Sequence, residues 1–164
     1  MKYSMENELG KLYTVLARHL SSMIPVDWNK LYYLGEIGKK KESWSSVFYF
    51  EESITGKMIK THAIPDEYGV SQEIHNELIN ELNTILLDIY SCFERHGQPL
   101  WEQINLSLTS DGAFNIDFYY DVMTDDDGGQ IEREVVWAYK TFGFRPKEGS
   151  FTEELLGSYL ERNK

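Results

Sequence analysis

Two short segments that alternate apolar and polar residues constrain the fold of this chain more than any other feature. They are joined by residues 110–112, where Gly112 suits the left-handed position of a type I turn with a bulge. The register that this turn sets brings together Leu108 with Phe114, Leu106 with Ile116, and Ile104 with Phe118. The opposite face is polar and carries Asn105, Asn115 and Asp117. The sequence therefore predicts an antiparallel hairpin with one apolar face.

The first part of the chain predicts a helix followed by three strands. An apolar stripe at spacings of three and four runs from Leu9 to Met23. Pro25 ends this helix, because the residue before a proline is disfavoured in the helical region. The three strand-like runs are Trp28 to Ile37, Ser43 to Phe50, and Lys57 to Ala63. We expect residues 38–42 to form the hairpin loop between the first two runs.

A long helix is predicted between these strands and the hairpin. Ser71 suits its N-cap, because the hydroxyl can accept a hydrogen bond from an unpaired backbone amide. Gly97 suits the left-handed position after its last turn, and Pro99 follows. Its apolar stripe runs from Ile74 to Phe93.

Two further helices are predicted near the end of the sequence. One is expected from about Gln130 to Thr141, and the other from Thr152, with Phe151 and Leu156 at the positions of a hydrophobic staple. The order is helix, three strands, helix, two strands, two helices. This order predicts an α+β fold with an antiparallel sheet of about five strands. With 164 residues, the chain is expected to form a single domain over residues 1–164.

The net charge of −11 is the most informative feature of the composition. A surplus of this sign repels nucleic acid and anionic membranes and attracts basic partners, so neither a nucleic acid nor a membrane is an expected partner. Acidity that serves only to keep a small protein in solution is the alternative explanation. The first ten residues lack the apolar stretch of a signal peptide, and no run approaches a membrane span. We expect a cytoplasmic protein.

The sequence offers little sign of a metal, cofactor or catalytic site. No two of His19, His62, His75 and His96 are four residues apart, as two helical zinc-binding histidines would be. Cys92, the one cysteine, excludes an internal disulfide, and its place in the long helix predicts a buried thiol. Asp125, Asp127, Gly128 and Glu134 match part of a calcium-binding loop, but Met123 would occupy its first position and cannot bind calcium. No cofactor and no metal are predicted.

An acidic segment lies between the predicted hairpin and the helix that follows it. We define the acidic segment as Asp117, Asp121, Asp125, Asp126, Asp127, Glu132 and Glu134, against which only Arg133 is basic. Such a concentration of charge would speed association with a basic partner. Trp137, just beyond the segment, is a candidate aromatic anchor, although a place in the core explains it equally well. A solvated acidic surface without a partner is the alternative for the segment as a whole.

An ordered set of short motifs resembles the YezG-like immunity protein family, from about residue 5 to residue 162. The motifs are residues 24–30 (IPVDWNK), Trp101 with residues 106–108 (LSL), residues 111–118 (DGAFNIDF), and Arg133 with residues 137–140 (WAYK). The resemblance implies a cytoplasmic antitoxin of a Gram-positive bacterium, encoded beside a toxin that is exported by type VII secretion. It also implies that the toxin is typically a nuclease, which the immunity protein binds and blocks.

These observations predict an immunity protein and not an enzyme. We expect stoichiometric binding of a cognate toxin with a basic nuclease domain, through the acidic segment and Trp137. Two alternatives stay open. One is an interaction or regulatory protein without a toxin, such as a homodimer that pairs through a sheet edge. The other is a hydrolase that uses His62 or His75 with acidic neighbours.

Overall fold

The computed structural model describes residues 4–124 and 127–164, which form five α-helices and five β-strands. The helices are α1 (Met5–Ser22), α2 (Ile64–Tyr68), α3 (Gln72–Arg95), α4 (Gln130–Phe142) and α5 (Phe151–Arg162). The strands are β1 (Trp28–Ile37), β2 (Trp44–Glu52), β3 (Met58–Lys60), β4 (Gln103–Thr109) and β5 (Phe114–Tyr119). The predicted α+β class and element order are confirmed, with the short helix α2 as an addition.

The chain divides into two compact units, Met1–Tyr120 and Asp121–Lys164. The first contains the sheet with α1, α2 and α3, and the second contains α4 and α5. The expectation of one domain over residues 1–164 stays a prediction.

The five strands form one antiparallel sheet in the order β3-β2-β1-β4-β5. The predicted hairpin register is confirmed, because Leu108 faces Phe114, Leu106 faces Ile116, and Ile104 faces Phe118. Gly112 has a φ of 97°, and its amide donates to the carbonyl of Thr109 at 3.0 Å. A left-handed residue at this position lets the chain reverse without a side-chain clash.

One hydrophobic core joins α1 and α3 to one face of the sheet. Leu16 and Leu20 of α1 and Leu82 and Leu86 of α3 are fully buried in it. Trp101 is also fully buried, and its ring meets the rings of Tyr90 and Phe93 edge to face, with centroids 5.2 and 6.0 Å away. The aromatic packing holds the end of α3 against the start of β4.

The ends of α3 agree with the predicted caps. The Ser71 hydroxyl accepts a hydrogen bond from the amide of Ile74 at 3.4 Å, and Gly97 has a φ of 65°. The helix runs for 24 residues, or about 36 Å at 1.5 Å per residue.

The predicted boundaries of three elements differ from the structure. The second strand covers Trp44–Glu52 and not Ser43 to Phe50. The third strand covers only Met58–Lys60 and not the whole of 57–63, because the buried Thr61 hydroxyl takes over the pairing with β2. It accepts from the amide of Phe48 and donates to the carbonyl of Phe48, both at 2.6 Å. The helix α5 begins at Phe151 and not at Thr152, with Ser150 as its N-cap. Phe151 is therefore the first helical residue and is 63% exposed, so it forms no hydrophobic staple.

Candidate functional site

Four exposed carboxylates line one side of α3. We call Glu73, Glu77, Glu81 and Asp88 the acidic stripe. Residues four apart in a helix are offset by only about 40°, and residues seven apart return to nearly the same direction. The four side chains therefore share one face and span about 22 Å along the helix axis. The buried residues of α3, such as Leu82 and Leu86, lie on the opposite side.

The acidic stripe has little internal compensation. Glu81 Oε2 lies 3.7 Å from His19 Nδ1 on α1, while His19 Nε2 contacts the carbonyl of Leu78 at 2.8 Å. Within residues 4–124 and 127–164, Glu73, Glu77 and Asp88 form no ion pair. Glu73, Glu77 and Asp88 are exposed to solvent, where their charges can attract a cationic partner from a distance.

The stripe also carries a cost for the helix that bears it. Glu73 and Glu77, and Glu77 and Glu81, are like-charged pairs at a spacing of four. Such pairs destabilise an isolated helix by roughly 0.2–0.5 kcal/mol each. A basic partner surface placed against the stripe would remove this repulsion. Binding of such a partner would therefore also relieve the destabilisation of α3.

A shallow groove borders the stripe between α1 and α3. Val15, Arg18, His19 and Ser22 line it on the α1 side, and Glu81, Thr84 and Ile85 line it on the α3 side. Val15 is 48% exposed, whereas Ile85 is buried. The groove places the apolar side chains of Val15 and Ile85 beside the carboxylates. Protein interfaces commonly have such an apolar centre with a polar rim.

The structure places two members of the predicted acidic segment in local contacts. Asp127 Oδ2 accepts from Arg133 Nη1 and from the amide of Thr124, both at 2.9 Å, and Oδ1 accepts from the amide of Gly129 at 2.7 Å. Glu132 is 2% exposed and accepts from Arg162 Nη2 at 2.5 Å. These contacts stabilise the second unit, and neither carboxylate stands free for a partner.

The remaining members differ in exposure. Asp117 on β5 and Asp121 are exposed, and Glu134 accepts from Gln130 Nε2 at 3.3 Å. Asp125 and Asp126 lie outside the described residues. Asp117 belongs to the first unit, and the other described members belong to the second. The assignment of the acidic segment to an interface stays a prediction.

Trp137 is only 6% exposed, and its ring meets Phe142 edge to face with the centroids 5.9 Å apart. Of the two roles weighed for it, anchor or core, this burial agrees with a place in the core. Its use as an anchor stays a prediction that would require the side chain to become accessible.

Among the strands of the described residues, β5 pairs with β4 alone, so it forms one edge of the sheet. Phe114 and Tyr119 are 39% and 41% exposed along it, and Asp117 lies between them. An exposed edge strand offers backbone donors and acceptors to a second chain. It is the second candidate surface for partner binding in the first unit.

The two histidines proposed for hydrolysis lack the partner that the chemistry needs. Burial, followed by the charge of Lys60, lowers the pKa of His62, and burial alone lowers the pKa of His75. Within the described part of the chain, neither ring has a hydrogen bond to a carboxylate. Asp66 acts on His62 only through its charge, which opposes the lowering of the pKa, and among the described residues no hydrogen-bonded carboxylate orients either ring, so the structure gives this alternative no support.

A histidine–carboxylate contact does exist elsewhere, at His96 Nε2 and Glu8 Oε2, which are 2.9 Å apart. Cys92, one turn before His96 on α3, is buried as predicted, and burial raises the pKa of its thiol. The sequence signal for this pair is a cysteine and a histidine four residues apart, which the spacing of the histidines alone does not reveal.

The acidic stripe was also missed, although the sequence contains its signal. Acidic residues at 73, 77, 81 and 88 follow helical spacing within a segment already predicted to be helical. The density of charge along the chain favours residues 117–134 instead, and it hides a pattern that follows the helix.

Among residues 4–124 and 127–164, none of the helices has both the length and the apolar composition needed to cross a bilayer.

Comparison with known proteins gives a consistent set of relatives. The family model described as "Immunity protein YezG-like" matches residues 9–156. The chain is 30% identical over 157 residues to "Immunity protein YezG" of Bacillus spizizenii, covering 96% of each protein. It is 28% identical over 149 residues to "Immunity protein YezG" of Bacillus subtilis, covering 91% of this chain and 97% of that protein. It is 26% identical over 145 residues to "Type VII secretion system protein EsaG" of Staphylococcus aureus, covering 88% of this chain and 87% of that protein.

Proposed function

The chain belongs to the YezG-like immunity protein family, and on that premise we propose that it is a cytoplasmic antitoxin that binds and neutralises one cognate toxin. Binding is stoichiometric, and the protein itself catalyses no reaction. The toxin is a substrate of type VII secretion, in keeping with the name that the Staphylococcus aureus relative bears.

The toxin we propose is a nuclease with a basic surface. A nuclease has to hold a phosphate backbone, and Lys and Arg side chains supply most of that contact. The net charge of −11 on this chain complements such a surface. Charge complementarity of this kind raises the association rate and suppresses binding to partners of the wrong sign.

The observation that carries the electrostatic part of the proposal is the acidic stripe. Its four exposed carboxylates lie on a helix that is fixed by the hydrophobic core, so the backbone positions that carry them are set before a partner arrives. Preorganised groups lose less conformational entropy on binding than mobile ones do. The acidic segment, with Asp117, Asp121, Asp125 and Asp126, is proposed as a second contributor.

An inhibition titration tests the function. The C-terminal domain of the toxin encoded by the neighbouring gene is mixed with increasing amounts of this protein, and cleavage of plasmid DNA is followed. We expect cleavage to fall linearly and to end at one equivalent. Undiminished cleavage at a tenfold excess of this protein would contradict the proposal.

A homodimer that pairs through the β5 edge is the second candidate, and the exposure of that edge is the observation in its favour. Native mass spectrometry separates the two. A 1:1 complex with the toxin domain and a monomer without it supports the antitoxin. A dimer that persists and fails to bind the toxin domain supports the alternative.

A further inference from the structure

Three side chains with metal-binding atoms converge where the start of α1 meets the end of α3. Glu8 lies on α1, Cys92 lies on α3, and His96 caps α3. One carboxylate oxygen of Glu8, the sulfur of Cys92 and one ring nitrogen of His96 all lie within 4.8 Å of one another. The amide of His96 donates to the carbonyl of Cys92 at 3.2 Å, so the two residues are one helical turn apart and on the same face.

We propose that Glu8, Cys92 and His96 form a binding site for a zinc ion. Thiolate, imidazole and carboxylate are the three ligand types that zinc takes from proteins, at about 2.3, 2.0 and 2.1 Å respectively. In a tetrahedral site the ligand atoms lie roughly 3.3–3.8 Å apart. The three atoms lie within 4.8 Å of one another, and Glu8 Oε2 and His96 Nε2 are 2.9 Å apart, so reaching these distances requires shifts of up to about 1.5 Å.

The surroundings of Glu8 support its role as a ligand. Arg95 Nη2 contacts Glu8 Oε1, which leaves Oε2 on the side of His96. In known metal sites, a hydrogen bond to the ligating carboxylate from a neighbouring residue fixes the orientation of that carboxylate. The guanidinium also offsets the negative charge that a carboxylate and a thiolate bring to one place.

Exposure leaves room for a fourth ligand. Cys92 is fully buried, but the side chains of Glu8 and His96 are each 25% exposed. Water can therefore reach the cluster from the side of Glu8 and His96 and occupy the remaining tetrahedral position.

Zinc binding at this site releases one proton, from the thiol of Cys92. The thiol of Cys92 is protonated in its buried setting, and zinc exchanges for that proton to form the zinc–sulfur bond. For Nε2 of His96 to bind zinc, the hydrogen between Nε2 and Glu8 Oε2 moves to Nδ1, so the histidine itself releases no proton.

An ion-pair cluster without a metal is the competing account of the same residues. Glu8, Arg95 and His96 alone would satisfy one another and would connect α1 to α3. Cys92 would then have no part in the contact. The two accounts differ in what they predict for the sulfur, and a probe that reports on sulfur separates them.

The experiment is a titration of the reduced protein with cobalt(II), a spectroscopic substitute for zinc. We expect one equivalent to bind with a thiolate-to-metal charge-transfer band in the near ultraviolet, and zinc to abolish that band. The variant Cys92→Ser should lose the band, and both Cys92→Ser and His96→Gln should bind cobalt at least about tenfold more weakly, since the loss of even an outer-shell partner costs this much. In both variants, zinc should no longer raise the melting temperature.

A matched control is His19→Gln, which removes the other histidine that faces a glutamate between α1 and α3, at Glu81. We expect it to keep the band and the wild-type affinity. Circular dichroism confirms that each variant is folded before it is titrated. Absence of the band in the wild type, or a band that survives in Cys92→Ser, would overturn the site.

Discussion

At the scale of single residues, two hydrogen bonds change the pKa of the Glu52 carboxyl group. It accepts hydrogen bonds from the hydroxyl of Tyr68 and, at 2.7 Å, from that of Thr55. The bond from Tyr68, followed by that from Thr55, lowers the pKa of Glu52 below its ordinary 4.5. These bonds favour the charged form, so they stabilise the folded state only while Glu52 is ionised.

The Glu52 contacts predict a pH dependence with a definite sign. Because the pKa is lowered on folding, the stabilisation is complete above the ordinary value and is lost as the pH falls through the folded value. The variant Tyr68→Phe should therefore lose less stability than the wild type as the pH drops below about 4.5. Urea unfolding at a series of pH values measures this, with the exposed Tyr120→Phe as the control. Parallel pH profiles for Tyr68→Phe and the wild type would refute the assignment.

Several residue contacts could not be predicted from the sequence, because their partners are distant along the chain. Glu132 pairs with Arg162 across 30 positions, and Glu8 contacts His96 across 88. The density of acidic residues between 117 and 134 therefore overstated the free charge there. Thr61 is a similar case. The local sequence does not indicate that its hydroxyl takes the place of backbone hydrogen bonds between β3 and β2.

The elements were predicted more accurately than the contacts, because their signals are local. The turn at 110–112 and the alternation around it fixed the β4–β5 register, and Ser71 and Gly97 marked the ends of α3. The short helix α2 has a local signal in Pro65, near its start, because proline is favoured in the first turn of a helix. The acidic stripe was missed because charge was counted along the chain and not around the helix.

The stripe makes a prediction about the stability of α3 itself. Glu77→Lys converts two like-charged pairs, with Glu73 and Glu81, into opposite pairs. Each conversion should add a few tenths of a kcal/mol to the free energy of unfolding of the unbound protein. Urea unfolding at low ionic strength measures the gain, and added salt should remove it. A loss of stability in this variant would show that Glu77 makes a favourable contact in the native state.

At the scale of the whole molecule, the charge of −11 could attract a partner through its total or through its placement. Binding rates of charge variants distinguish the two. If only the total matters, any three exposed carboxylates contribute equally to attraction. If placement matters, the acidic stripe outweighs other carboxylates of equal charge. The proposed function requires the second, because a toxin with one basic surface meets one face of its inhibitor.

The acidic segment can be judged by the same logic. Asp125→Asn, Asp126→Asn and Asp127→Asn together should slow association with the toxin domain and flatten its salt dependence, if this segment touches the partner. Since Asp127 also binds Arg133, the fold of the triple variant is checked first by circular dichroism. Unchanged kinetics would remove the segment from the interface and leave the stripe as the candidate.

The most direct test of the account is the salt dependence of the association rate with the toxin domain, measured by stopped flow. The stripe variant combines Glu73→Gln, Glu77→Gln and Asp88→Asn, and its control combines Glu6→Gln, Asp27→Asn and Glu42→Gln, which are exposed carboxylates off the stripe. We predict an association rate about tenfold lower at low salt and a shallower salt dependence for the stripe variant, with the control close to the wild type. Equal rates and equal salt slopes in the stripe variant and the wild type would contradict the account.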